Sequence, residues 1–186
     1  KLPALLDSTG MLACGEDLGM IPATVPQVMD DLRILSLEIQ RMPKSVEETF
    51  AHPANYPYLS VCTTSTHDMN PIRAWWEEDR QVTNDFWQMI LGNQGEAPYF
   101  CEPWICRQIL EQHVWSPAML TILPLQDWLS MDPHLRREDP NAERINVPAN
   151  SRHYWRYRMH LTLEQLAAAD EFNQALTDMI AASGRC

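Results

Sequence analysis

The sequence predicts an α/β fold of the (β/α)8 barrel type, with this chain supplying four strand–helix units, and three observations lead there. Four short apolar runs, Met11–Gly15, Ser36–Gln40, Tyr58–Thr63 and Met119–Leu123, read as strands, and the first three begin about 24 residues apart, the period of one β/α unit. Apolar residues at helical spacing fill the stretches between them. Two of the runs end abruptly in polar turns that carry carboxylates, Gly15-Glu16-Asp17-Leu18-Gly19 and Thr63-Thr64-Ser65-Thr66-His67-Asp68. Parallel barrels keep their reactive side chains at such strand ends. An eight-stranded barrel takes about 250 residues, so four units in 186 residues amount to half of one, with the other half missing.

After the first strand, Val25, Val28, Met29 and Leu32 recur at helical spacing. With Thr24 as cap and Pro26 in the first turn, they predict a helix from Thr24 to Ile34. Ser36–Gln40 is the second strand and Ser45–Phe50 a brief helical piece. Tyr58–Thr63 is the third strand. A helix opened by Asn70 and Pro71 carries Trp75 and Trp76; a second, around Phe86, Met89 and Ile90, ends near Gly92. The next begins at Pro103 and stops at Ser116-Pro117. Met119–Leu123 is the fourth strand, closed by Pro124, and residues 126–158, rich in Pro, Asn, Asp and Arg, form a long structured loop of the kind that usually carries function. Thr162 and Gln165 make a capping box for a last helix through Leu166, Phe172, Leu176, Met179 and Ile180, which Gly184 terminates.

Composition narrows the function. Of 186 residues 45% are hydrophobic, enough for a core and by length for one domain. No run of 18 or more apolar residues occurs, so no membrane partner is expected. Lys1 in place of an initiator methionine hints at upstream chain. Fourteen basic against 25 acidic residues give a net charge of −11, which speaks against nucleic acid, whose phosphates need clustered Lys and Arg. The five cysteines, Cys14, Cys62, Cys101, Cys106 and Cys186, are odd in number and show no zinc-type spacing. They imply a reducing, cytoplasmic setting without disulfides, and no metal or cofactor is expected.

In a parallel barrel, Glu16 and Asp68 would project from C-terminal strand ends into one cleft, two strands apart. That arrangement suits glycoside chemistry: one carboxyl group protonates the glycosidic oxygen, and another carboxylate stabilises the positive charge developing on the sugar. His67 can hydrogen-bond sugar hydroxyls. The plainer readings are a loop histidine for His67 and a helix cap for Asp68. Asp17 reads as a turn-stabilising carboxylate that accepts from nearby backbone N–H groups, ahead of the alternative of a direct catalytic role. Trp75, Trp76, Tyr154 and Trp155 are either sugar-stacking faces or core.

Several of these residues fall in longer runs: Gly15-Glu16-Asp17-Leu18-Gly19, Glu38-Ile39-Gln40-Arg41-Met42-Pro43, Ser65-Thr66-His67-Asp68, Arg73 with Trp75-Trp76-Glu77, Pro124-Leu125-Gln126-Asp127, and Glu143-Arg144-Ile145-Asn146-Val147-Pro148 with Tyr154-Trp155-Arg156. In this order, over nearly the whole chain, they closely resemble the amylomaltase-type 4-α-glucanotransferases. The resemblance implies a (β/α)8 barrel of which this chain is the C-terminal half, strands five to eight. It also implies retaining transfer of α-1,4-glucan segments between maltooligosaccharides. Glu16 matches the family's general acid/base, Asp68 its transition-state-stabilising aspartate and His67 its sugar-contacting histidine; Asn146 and Pro148 fall in a substrate-contacting loop. Ala149 stands where many relatives have Gly.

In the family that the chain resembles, the nucleophilic aspartate lies on the strand preceding that of Glu16, in an Arg-containing motif; Asp7 sits in no such motif, so this chain alone is expected to be inactive. Retention needs that nucleophile about 5 Å from the acid/base. Two readings compete: a catalytically dead, glucan-binding or self-associating half-barrel with sticky sheet edges, and a plain α-glucan hydrolase using the same carboxylates.

Overall fold

The computed structural model describes residues 1–19 and 21–185; Cys186 lies outside them. Two compact units emerge, one of Lys1–Thr63 with Ser116–Ile122 and one of Thr64–Trp115 with Leu123–Cys186.

The first unit holds the sheet. A short helix, α1 (Leu2–Leu6), precedes α2 (Val25–Asp31), whose N-cap is Thr24 and whose first turn contains proline, as the sequence predicts. Arg33, at φ 56°, turns the chain out of α2. The Arg33 N–H donates to the Asp30 carbonyl at 3.1 Å and the Ile34 N–H to the Met29 carbonyl at 2.9 Å, the two bonds of a Schellman termination. That turn delivers the chain into β1 (Ser36–Ile39), which pairs in parallel with β2 (Ser60–Thr63) in the register Ser36 to Ser60 through Ile39 to Thr63. β3 (Leu120–Thr121) adds in parallel on the far side of β2, giving the order β1-β2-β3. Leu35, Ile39 and Cys62 are buried at this centre, with Tyr56 and Ala118 packed around Cys62.

The predicted Met11–Gly15 strand shrinks to one parallel bridge, Cys14 to Leu35. Gly15 N–H donates to the Leu35 carbonyl at 2.8 Å and Leu35 N–H to the Ala13 carbonyl at 2.9 Å. The ladder then stops, because the next N–H of β1 on that side, from Leu37, is taken by the Asp17 carboxylate at 2.8 Å. Gly15 also passes close over α2: a Cβ there would lie 3.0 Å from Met29 Cε. Residues 45–50 form turns rather than a helix: Phe50 is buried, but Val46, which a helix would set on the same face, is 95% exposed. The fourth strand is likewise only two residues long, lying between Pro117 and Pro124, which have no N–H for a ladder.

The second unit is mostly helical: α3 (Ile72–Trp76), α4 (Arg80–Met89), α5 (Pro103–Val114), α6 (Leu125–Leu129), α7 (Leu163–Ala167) and α8 (Asp170–Ala182). Asp79 caps α4 by accepting from the Gln81 and Val82 N–H groups, and Thr162 with Gln165 forms the expected capping box. That box opens α7 alone. The single predicted C-terminal helix is divided at Ala168-Ala169, where the Asn173 amide captures the Leu166 carbonyl at 3.0 Å, and Gly184 ends α8 at φ 73°. α6 and a 3-10 turn at Pro140–Glu143 interrupt the predicted 126–158 loop.

Edge-on aromatic packing forms the centre of this unit. Phe86 meets Trp75 at 5.1 Å and 80° and Trp76 at 6.3 Å and 82°, the geometry that sets ring edges against π faces. Trp76 and Phe86 are fully buried, and the Trp76 indole N–H donates to the Pro98 carbonyl at 3.0 Å. Phe86→Ala, which empties this centre, is expected to cost about 3–5 kcal/mol, read from the midpoint and slope of a urea unfolding curve.

Candidate active site

Asp68 lies five positions beyond the end of β2, in the second unit, with its carboxylate half exposed at 51%. One oxygen accepts from the Asn146 side-chain amide at 2.6 Å. The other lies 3.3 Å from His67 Nε2. The Asn146 N–H donates to the His67 carbonyl at 3.1 Å, so the two loops are stitched twice, once through backbone and once through side chains. Asn146 is itself held: its Oδ1 accepts from the Val147 N–H at 2.9 Å and its carbonyl from Arg144 Nε at 2.9 Å. The structure thus joins three residues singled out from the sequence, His67, Asp68 and Asn146. Pro148 follows in the same loop and is exposed.

Trp155 extends the cluster. Its ring centroid sits 5.0 Å from that of His67, and the side chain is 60% exposed, leaving a face for an apolar surface. Tyr154 is exposed as well, whereas Trp76 is core and Trp75 packs on Phe86. Of the four aromatics named from sequence, only the later pair is offered to a ligand.

Glu16 belongs to the first unit and is exposed. Its neighbour Asp17 is buried and accepts from two donors, the Leu37 N–H on one oxygen and Lys44 Nζ, at 2.7 Å, on the other. Lys44 also donates to Glu38 at 2.6 Å. Asp17 is therefore a backbone-fixing carboxylate, as expected, although the N–H it holds belongs to β1 rather than to its own turn. Gly19, at φ 76°, completes the excursion in a conformation that L side chains rarely adopt. Fastening Asp17 to the strand leaves the adjacent Glu16 free of that duty.

Sequence reasoning missed the buried groups behind the Asp68 loop. Asp127, in the first turn of α6, has no solvent exposure. Its Oδ2 accepts from the Thr64 and Ser65 hydroxyls, each at 2.6 Å, and its Oδ1 from the Ile72 N–H at 2.8 Å. Asp127, not Asp68, is thus the carboxylate at the start of α3. Arg73, also buried, donates to the Arg137 carbonyl at 2.6 Å and lies 3.8 Å from Glu143. Among the described residues no set of three His, Cys, Asp or Glu side chains converges to hold a metal ion.

These features define an α/β protein of parallel strands whose polar clusters sit on the loops after those strands. The sequence profile of the 4-alpha-glucanotransferase family matches residues 2–163, and the chain belongs to that family. It is 42% identical over 184 residues to 4-alpha-glucanotransferase DPE2 of Oryza sativa subsp. japonica, covering 99% of this chain and 20% of that protein. Against the 4-alpha-glucanotransferase of Chlamydia muridarum it is 32% identical over 181 residues, covering 96% of this chain and 34% of the relative. The fold matches an amylomaltase from Streptococcus agalactiae, solved in complex with acarbose, with TM-score 0.71 and 18% identity, over 98% of this chain and 34% of that one. The chain thus spans a fifth to a third of the length of these relatives and shares the fold of a barrel family.

Burial pushes the Glu143 carboxyl up to about 7, against the pull of Arg73 and of the Arg137 N–H. Between its ordinary 4.5 and about 7 the folded protein keeps a proton that the unfolded chain has released. Stability is then fully present below the unfolded value and falls as pH rises through that window, by on the order of 2–3 kcal/mol. Glu143→Gln, which stays neutral, is expected to flatten that part of the slope, measured as the difference in unfolding free energy between pH 5 and pH 7.5 in variant and parent.

Proposed function

We propose that this chain is the C-terminal half of the catalytic (β/α)8 barrel of a 4-α-glucanotransferase, which moves α-1,4-glucan segments between maltooligosaccharides with retention. Glu16 protonates the departing glucosidic oxygen and then takes the proton of the incoming 4-hydroxyl. Asp68 stabilises the positive charge that develops on the ring between these events. The nucleophile comes from chain outside this segment. His67, Asn146 and Pro148 contact the sugars, and no metal or cofactor takes part. Cytoplasmic residence is part of this reading and is supported by the free thiols of Cys14, Cys62, Cys101 and Cys106; no helix among the described residues is long and apolar enough to cross a membrane.

The observation that carries this reading is the Asp68 cluster. A half-exposed carboxylate, held through one oxygen by Asn146 and flanked by His67 and an open indole face at Trp155, offers charge, hydrogen bonding and an apolar platform together. A pyranose ring presents the complements of all three. In the full-length enzyme, Glu16→Gln and Asp68→Asn are each expected to lower the rate of maltotriose disproportionation by roughly 10²–10⁴-fold with the circular dichroism spectrum unchanged. Near-normal transfer by either variant would defeat the role given to that residue, and glucose as sole product in the parent would favour a hydrolase.

Exposed apolar residues on both flanks of the sheet favour self-association as the behaviour of the isolated segment. Met11 and Leu12 before the Cys14 bridge are 78% and 56% exposed, and Leu120 and Ile122 around β3 are 38% and 61% exposed, the surfaces that neighbouring barrel strands would cover. Size-exclusion chromatography of the segment alone is expected to show concentration-dependent oligomers without transferase activity; a clean monomer counts against it.

A further inference from the structure

We propose that Asp127 is a positioning residue that sets the orientation of the Asp68 carboxylate by fixing the loop that carries it at both ends. The proposal rests on the role assigned to Asp68 above. Upstream of His67-Asp68, the Thr64 and Ser65 hydroxyls donate to one Asp127 oxygen at 2.6 Å each; downstream, the Ile72 N–H donates to the other at 2.8 Å. One side chain with no solvent exposure therefore fastens the segment on either side of an aspartate and a histidine that are themselves half exposed.

The neighbouring residue completes the device on the opposite loop. Gln126, buried beside Asp127 in the same turn of α6, donates to the Glu143 carbonyl at 3.4 Å, three residues before Asn146. Ser65, His67, Gln126, Glu143 and Ile145 close around one small cavity of about 30 Å³. The first turn of α6 thus touches both loops that meet in the 2.6 Å bond from Asn146 to Asp68. A charge deep in protein is held where its donors are, so the Asp127 oxygens are fixed points to which the Asp68 loop is referenced. An exposed carboxylate that must stabilise a transient positive charge needs such a reference, because a displacement of about 1 Å can cost roughly 10²-fold in rate.

Asp127→Asn in the full-length enzyme removes the charge and turns one acceptor oxygen into a donor: toward Ile72 it sets two N–H groups against each other, and toward Thr64 and Ser65 it forces both hydroxyls to turn round and accept, so the charge-assisted bonds that reference the loop are lost either way. The expected result is a fall in kcat for maltotriose disproportionation of roughly 10- to 100-fold, with KM within about twofold and the variant folded. In an Asp68→Asn background the same change is expected to add less than about twofold, because both act through one group. A purely structural role gives the opposite pattern, independent losses that multiply, or less folded protein with normal specific activity; either result overturns the proposal. So does kcat within about twofold of the parent in Asp127→Asn while Asp68→Asn is impaired. Failure of the parent reading shows separately, as near-normal transfer by Asp68→Asn alone. Should Asp127→Asn not fold, Thr64→Val with Ser65→Ala removes both hydroxyl donors, keeps the bond to Ile72, and is judged by the same rate and double-variant criteria.

Discussion

A carboxylate without solvent contact survives only where protein donors replace its water, since the effective penalty for burying an ion is several kcal/mol. Asp127 meets that condition with two hydroxyls and one backbone N–H, all within 2.8 Å. The requirement runs in both directions. The charge needs these three donors, and the donors belong to the two ends of the loop between β2 and α3, so satisfying the charge folds the loop. Charge-assisted bonds of this length are about twice as strong as neutral ones, and they fall on the two ends of the loop. The tip between them, carrying His67 and Asp68, stays open to solvent.

Asp17 repeats the logic in the first unit. There the buried carboxylate takes the Leu37 N–H that a longer neighbouring strand would have used, and Lys44 neutralises it. The strand gives way to a loop, and the next residue back, Glu16, is set outward. In both places a buried acid carries more of the structural load than an exposed one: Asp17 accepts two bonds while Glu16 stays exposed, and Asp127 accepts three while half-exposed Asp68 has Asn146 on one oxygen and His67 at 3.3 Å from the other. A group held by many donors is poorly suited to exchanging protons or meeting a passing charge. Dividing the duties keeps the exposed carboxylates available.

Sequence alone carried the local half of this picture well. α2, α4 and α5 lie where periodicity and prolines put them, and Thr162 with Gln165 forms its capping box, because caps and 3.6-residue spacing are decided within a few neighbours. What failed was decided far away. The first strand is cut short by an acid whose N–H partner lies 20 positions on, and the partners of Asp127 lie 55, 62 and 63 positions back. No window reads such distances. The aromatics make the same point, since Trp76 and Trp155 each sit in an aromatic pair in the sequence and only the fold buries the first and exposes the second. His67 and Asp68 were singled out by their place after a strand and, with Asn146, by family resemblance, which carries non-local information that periodicity lacks. The 2.6 Å bond from Asn146 to Asp68 spans 78 positions, farther than any local pattern reaches.

Glu143 shows what happens when the donors are too few. It is as buried as Asp127, but one oxygen has a single backbone N–H at 3.4 Å and the other no hydrogen bond, only the Arg73 guanidinium at 3.8 Å. Arg73 spends its short bond on the Arg137 carbonyl instead. The carboxyl then favours its proton up to about 7, because a neutral acid loses less on leaving water than a charged one. Two acids on neighbouring elements thus occupy similar depth with different company: Asp127 has three short donors, and Glu143 has one long one and a distant guanidinium. The first turn of α6 reaches both loops that meet at Asp68, through three bonds to Asp127 on one and the single longer bond from Gln126 to the Glu143 carbonyl on the other.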